Sequence, residues 1–342
     1  MSTLPRRILI VRLGAIGDVA NALVLANALK DHDPGVRIGW AIHDLSRPLV
    51  EGHPSIDRVH LWSRGAGGRG LARWVDDVRA TGYDLAIDLQ RILKSALLAR
   101  LAGAARVLAY DRERCKESSW VLAAERIEPG PPHEHMVDQY LAFARAVGVP
   151  EPRARFSLPF DQAAERRARD VAAAHPRGVA LLHVGATKPA NRWPAERFGE
   201  LARRLHDAHG VQALLVGGPA ERELGARALA AASSSRGVED WTGRTTLPEF
   251  WHLAAHARLV VSADSGPMHL AAAAGTRVLA LFGAADERRT GPYGREHVVV
   301  RFPIDCAPCG ARECPLARHA CMLDLAVEPV ERAAARMLAI GE

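Results

Sequence analysis

The sequence predicts an α/β protein built from two Rossmann-like domains whose parallel, doubly wound sheets face each other across a cleft. Three features predict it. Apolar, β-branched runs alternate with helical patterns through both halves of the chain. Each half opens with such a run leading into a glycine-bearing loop, and a proline-rich stretch, residues 150–160, separates the two. A length of 342 residues is comfortable for two domains, and 48% hydrophobic content supports well-formed cores.

In the first half, Ile8-Leu9-Ile10-Val11 is uninterrupted and apolar, as in a strand buried on both faces. Further strands are predicted at 37–42, 58–62, 85–88 and 106–109, with helices between them, for example at 20–31 and 94–101. A helix at 137–147 runs out at Gly148-Val149-Pro150. After the linker comes a charged helix through Ala174, and then the pattern restarts. Strands are predicted at 178–184, 211–216, 239–241, 259–262 and 277–281, with helices at 194–209 and 220–232. The chain closes on a helical pattern at 328–340, expected to cross back onto the first domain. The expected division is therefore 1–160, 161–325 and a terminal segment 326–342.

No apolar run approaches the roughly 18 residues needed to span a bilayer. The start, Met1 to Arg7, leads straight into a strand without a separate signal-peptide core, so a cytosolic protein is expected. The net charge is +6, and nearly all of the cations are arginines; the lysines are Lys30, Lys94, Lys116 and Lys188. That skew reflects nucleotide composition more than function. A basic protein suits anionic small substrates or an anionic membrane surface. The absence of a basic tail, a stacked-aromatic signature or a helix-turn-helix pattern argues against nucleic acid.

Two loops carry the strongest signals. Asp264-Ser265-Gly266-Pro267-Met268-His269-Leu270 joins an apolar strand to a helix, placing free backbone N–H groups where a phosphate or diphosphate is well received. Asp264 at the strand tip suits sugar hydroxyls. Leu13-Gly14-Ala15-Ile16-Gly17-Asp18 follows the first strand but lacks the three-glycine dinucleotide fingerprint. Asp18 is either a helix N-cap or a carboxylate presented at the carboxyl edge of the sheet, where open α/β sheets bind ligands.

Other candidates accompany them. In the loop from Gly185 to Pro194, Gly185 and Thr187 offer donors to a phosphate, and Lys188 and Arg192 offer charge. Glu221, after Gly217-Gly218-Pro219, is either a ribose ligand or a first-turn acid favoured by the helix dipole. Asp88-Leu89-Gln90-Arg91 and the 111–117 segment follow strands of the first domain; their arginines and Lys116 suit an anionic acceptor or form a solvated charge run. Cys306, Cys309, Cys314 and Cys321 gather four of the five cysteines, with His319 nearby. They read as a closed tetrahedral zinc site, as reduced thiols or as disulfides, the last disfavoured in the cytosol. Cys115 reads as a free thiol.

Taken in order, these pieces resemble glycosyltransferase family 9, the ADP-heptose:lipopolysaccharide heptosyltransferases, over nearly the full length. The set comprises residues 7–18, Asp88-Leu89-Gln90 with Lys94-Ser95-Ala96-Leu97, Tyr110-Asp111-Arg112 with Lys116-Glu117, the Gly185 to Pro194 loop, Gly217-Gly218-Pro219, Asp264 to Leu270, and Phe282-Gly283 with Gly291-Pro292-Tyr293. Asp88-Leu89-Gln90 and Tyr110-Asp111-Arg112 are nearest the heptosyltransferase I branch, the cysteine-rich tail nearer the other.

The resemblance implies a GT-B fold and an inverting, metal-independent transfer of heptose from ADP-L-glycero-D-manno-heptose, with no cofactor required. The acceptor is a Kdo or heptose residue of the lipopolysaccharide inner core, a lipid-linked anionic saccharide. The enzyme is then cytoplasmic and peripheral on the cytosolic face of the inner membrane. Asp18 matches the catalytic base. Thr187, Lys188, Asn191, Arg192, Glu221, Asp264, Ser265, Gly266, Pro267 and His269 fall on the donor side; Gly17, Gln90, Arg112 and Lys116 fall on the acceptor side. Two positions depart from the family pattern: Asn191 stands where a lysine is usual, and Lys116 replaces an arginine, keeping charge but not bidentate grip. The alternatives are a family relative using another nucleotide sugar for a different surface glycan, a GT-B-fold epimerase and a non-catalytic nucleotide-sugar binder.

Overall fold

A computed structural model describes residues 4–63, 65, 67–233 and 236–339. It divides into two compact units, Met1–Phe160 and Asp161–Glu342. The first holds strands β1 (Arg7–Val11), β2 (Arg37–Ile42), β3 (Arg58–Leu61), β4 (Leu85–Asp88), β5 (Arg106–Ala109) and β6 (Glu125–Arg126). Its helices are α1 (Ile16–His32), α2 (Gly67–Thr81), α3 (Leu93–Leu101) and α4 (Met136–Ala146). All strands pair in parallel in the order β3-β2-β1-β4-β5-β6.

The second unit opens with α5 (Gln162–Ala174) and carries β7 (Val179–His183), β8 (Gln212–Val216), β9 (Val238–Asp240), β10 (Leu259–Ala263), β11 (Val278–Phe282) and β12 (Val298–Arg301). Between and after them lie α6 (Ala195–His209), α7 (Arg222–Ala231), α8 (Leu247–His256), α9 (Gly266–Ala273), α10 (Glu287–Thr290), α11 (Ala320–Leu323) and α12 (Val327–Ala339). The order is β12-β11-β10-β7-β8-β9, again all parallel. Numbered from its own first strand, each sheet has the Rossmann order, and the winding reverses between β1 and β4 and between β7 and β10. Among the described residues no helix is long and apolar enough to cross a membrane.

Both first strands are buried along their apolar lengths, which matches their unbroken aliphatic runs. Helix α1 is apolar on every side, with Val19, Leu23, Val24 and Leu25 among its buried residues, and it packs against α4. Asn27 is a buried mid-helix polar anchor. The Asn27 Nδ2 donates to the Arg155 carbonyl (2.7 Å), and its Oδ1 accepts from Ser55 Oγ (2.7 Å) and Ser157 Oγ (3.1 Å). The proline-rich stretch is thus tied to the first unit by side chains rather than by regular structure.

The terminal helix requires a correction. Val330, Ala334 and Leu338 of α12 belong to the second unit's core. Arg204 of α6 pairs with Glu328 (3.0 Å) and Glu331 (2.8 Å) along the same seam. The helix expected to cross onto the first domain is therefore built into the second, because its apolar stripe is taken up there. Residues 340–342 of that expected segment, and residues 1–3, lie outside the described residues.

Each unit also buries a neutral histidine. Burial lowers His53 and His183 from 6.5 to about 4. The His53 Nδ1 accepts from the Ser55 N–H (3.1 Å) while Nε2 faces the Ser157 carbonyl (3.1 Å), which defines one tautomer. Between pH 6.5 and 4 the unfolded chain binds more protons than the folded one, so stability falls as pH falls through that window. Each histidine contributes on the order of 2 kcal/mol of this loss by pH 5. Urea unfolding at pH 7.5 and 5 should show the drop, and His53→Gln should shrink it by about that amount. An unchanged drop in the variant would show that His53 does not titrate this way.

Candidate active site

In the first unit, the loops after β1 and β4 flank the winding reversal and are stitched together. Leu13 N–H donates to Gln90 Oε1 (2.8 Å), and Gln90 N–H donates to Asp88 Oδ1 (2.9 Å). Arg12, 4% exposed at the end of β1, reaches across this seam. Its Nη1 donates to the Leu89 carbonyl (2.8 Å), and its Nη2 pairs with Asp18 Oδ2. Burial works against the Arg12 charge, but Tyr140, Asp18 and Tyr110 around it raise its pKa above the ordinary arginine range. A buried guanidinium of this kind is costly unless paired, so the pairing holds Asp18 in one direction.

Helix α1 starts at Ile16, with Ala15 at its N-cap, so Asp18 lies in the first turn rather than at the cap. The capping alternative for Asp18 is thereby set aside. Its side chain is 40% exposed, facing solvent from one side and Arg12 from the other. Gly17 is buried beside it in the same turn. Asp88 is 1% exposed; burial pushes its carboxyl up to about 6, against the Gln90 N–H, Ser95 hydroxyl and Arg12 charge that favour ionisation.

The cations of the 111–117 segment have different surroundings. Arg114 pairs with Asp111 and with Glu134 (3.0 Å) and donates to the Glu128 carbonyl (2.8 Å). Arg112 is exposed and stacks 5.0 Å from the Trp120 ring centroid. Lys116 is exposed, and its backbone N–H donates to the Arg91 carbonyl (2.8 Å). Lys116 thus sits on the same seam as Gln90.

In the second unit the loops after β7 and β10 flank the corresponding reversal. Helix α9 begins at Gly266, with Pro267 in its first turn and Ser265 at its N-cap. The Ser265 side chain does not cap it, and the first N–H groups of a helix have no carbonyl partner within the helix. The Ser265 hydroxyl turns inward instead, 3.0 Å from Ser262 Oγ and 3.3 Å from His183 Nδ1. The Asn191 Nδ2 donates to Asp264 Oδ2 (2.9 Å) and to the Asp264 carbonyl (3.3 Å), and His269 Nε2 lies 4.0 Å from Asp264 Oδ1. Asn191 is therefore a buried brace of the strand tip, a place where a lysine would add a full charge.

Thr187, Lys188 and Arg192 stand exposed on the same loop; Arg192 Nε donates to the Ala186 carbonyl (2.8 Å). Trp193, by contrast, is buried, with its Nε1 donating to the Leu325 carbonyl (2.8 Å). Glu221 lies directly over Gly185: a Cβ there would come 2.5 Å from Glu221 Cγ. Only a glycine lets the carboxylate approach the loop so closely.

All five cysteines are free thiols. Cys306, Cys309, Cys314 and Cys321 line one cavity of about 100 Å³ together with Ala190 and His319. His319 Nε2 faces the Ala190 carbonyl (2.8 Å), and Ala190 N–H donates to the Arg312 carbonyl (3.1 Å), so the cysteine segment props the turn that carries Asn191. Burial, followed by the neighbouring Cys306, Cys314 and Cys309, raises the Cys321 thiol pKa. Among the described residues no group of three or more His, Cys, Asp or Glu side chains is arranged to hold a metal ion.

Sequence reasoning passed over Arg12 and the His183 ring. A charged residue directly after an aliphatic strand, and a histidine ending one, were the available signals.

The family model of glycosyltransferase family 9 (heptosyltransferase) matches residues 71–319. Lipopolysaccharide heptosyltransferase 1 of Pseudomonas aeruginosa is 30% identical over 320 residues, 90% of this chain and 87% of its own length. The lipopolysaccharide core heptosyltransferase OpsX of Haemophilus influenzae is 26% identical over 296 residues, 86% of this chain and 84% of its own. The structure of Escherichia coli ADP-heptose lipopolysaccharide heptosyltransferase II is similar with a TM-score of 0.78, over 97% of this chain and 98% of that one, at 23% identity. With two parallel six-stranded sheets, the fold is of the GT-B class. The chain is a glycosyltransferase and belongs to family 9, the heptosyltransferases.

Proposed function

We propose that this protein transfers heptose from ADP-L-glycero-D-manno-heptose to an acidic Kdo or heptose residue of the lipopolysaccharide inner core, with inversion at the anomeric carbon. The observation that carries the reading is Asp18, held by buried Arg12 at the first unit's winding reversal in a family 9 chain. The names of the relatives support the donor and the pathway.

In this reading the Asp18 carboxylate accepts the proton of the attacking acceptor hydroxyl. The new C–O bond forms at the anomeric carbon as the bond to the β-phosphate oxygen breaks, and ADP leaves with the electron pair. Charge growing on ADP is met by the N–H groups at the start of α9 and by Lys188 and Arg192 of the loop after β7. Those groups supply the positive charge, so the mechanism as proposed calls for no divalent ion. Glu221 takes the ribose, and Asp264, positioned by Asn191, takes donor-sugar hydroxyls. Work at the cytosolic face of the inner membrane suits the net charge of +6.

Transfer from ADP-heptose to a Kdo-bearing lipid A should be measurable with the purified protein. Asp18→Asn should lower kcat by roughly a hundredfold to ten-thousandfold, the range of a general base. Near-normal turnover in that variant would remove Asp18 from the chemistry. Gly185→Ala should raise the KM for the donor and leave that for the acceptor, because the new Cβ displaces Glu221. An unchanged donor KM would detach Glu221 from nucleotide binding.

A further inference from the structure

We propose that Arg91 grips the anionic group of the acceptor and so selects acidic saccharides; this rests on the acceptor reading given above. Three observations point to it. The first is backbone conformation. Arg91 has φ of 67°, in the left-handed region that side-chain-bearing residues avoid. Glu117 (φ 53°) and Ser118 (φ 54°) share that conformation on the adjoining loop, which is bonded to this one through Lys116 N–H to the Arg91 carbonyl and Leu93 N–H to Glu117 Oε2 (3.1 Å). Glycine would make the Arg91 turn without strain. An arginine there needs a reason in its side chain, and strain of this kind gathers at functional sites.

The second is the state of the neighbouring cations. Arg12 is engaged by Asp18 and the Leu89 carbonyl, and Arg114 by Asp111, Glu134 and the Glu128 carbonyl. Arg112 stacks on Trp120. The Arg91 guanidinium has neither a hydrogen bond nor an ion pair among the described residues, and its Nε is buried without a partner. It is nevertheless held in place, 5.3 Å from the Tyr110 ring centroid. A fixed, part-buried fork with open donors fits a carboxylate or phosphate.

The third is location. Arg91 directly follows Gln90, which bonds Leu13, and Leu89, whose carbonyl holds the Arg12 that pairs with Asp18. An anion on Arg91 would therefore anchor the acceptor beside the loop that carries the base. The ligand is an acidic sugar, its charge coming from either a ring carboxylate or a phosphate ester.

The test compares wild type with Arg91→Gly and Arg91→Lys on intact, carboxyl-reduced and dephosphorylated Kdo-lipid A, by transfer kinetics and by direct acceptor titration. Arg91→Gly should keep or raise Tm, leave the donor KM unchanged and raise the acceptor KM about tenfold to hundredfold, the size of a charge-assisted hydrogen bond. Arg91→Lys should recover part of that loss. Removing the anion that Arg91 holds should cost wild type the same factor and cost Arg91→Gly nothing further, which identifies carboxylate or phosphate. An acceptor KM in Arg91→Gly within twofold of wild type, in an enzyme that does transfer heptose, overturns Arg91 alone. A wild type that neither transfers to these acceptors nor binds them removes the acceptor reading and Arg91's assignment together.

Discussion

Beside β1 and again beside β7 the chain stops adding strands on one side of the sheet and starts on the other, and the candidate residues of each unit depend on that reversal. Loops that follow adjacent strands there leave in opposite directions and open a crevice at the carboxyl edge. In the first unit the Arg12–Asp18 segment and residues 88–91 lie at the ends of those strands; in the second the loop from Gly185 to Asn191 and Asp264–Ser265 do. The same topology thus gathers two residue clusters of different character, one in each unit, and the side chains set that character.

In the first unit the decisive choice is a buried arginine at the strand end. Its guanidinium bridges the β4 loop and the carboxylate on α1, so Asp18 is oriented by the sheet rather than by the surface. In the second unit the corresponding strand ends in a neutral histidine against two serine hydroxyls, which shapes the head of α9 without adding charge. The first strand end therefore directs a carboxylate, whereas the second leaves the carboxylate of its own cluster, Asp264, to be held by Asn191 from the neighbouring loop.

Much of this was legible in the sequence. The central strands declared themselves as aliphatic runs, and the glycine-bearing loops marked where each sheet reverses. Other elements gave no such signal. Strand β6 is only Glu125–Arg126, charged and at a sheet edge, and β12 is an edge strand whose residues alternate between part-buried and exposed. Helix α2 opens on Gly67-Gly68, which reads as a loop. Pairings between distant positions were also hidden, such as Asn191 with Asp264 and α12 with α6. The left-handed turn at Arg91 could not be read because arginine is not a residue that signals one. The four cysteines were visible as a cluster, but their spacing alone could not say that their side chains surround one cavity.

Titrating the purified protein with ADP, UDP and GDP, and repeating the ADP titration on Asp18→Asn, separates the nucleotide site proposed for the second unit from the base proposed for the first. ADP should bind most tightly, and the variant should bind it as wild type does. Tighter binding of UDP or GDP would contradict the donor, and loss of ADP binding in Asp18→Asn would contradict the separation of base and nucleotide site.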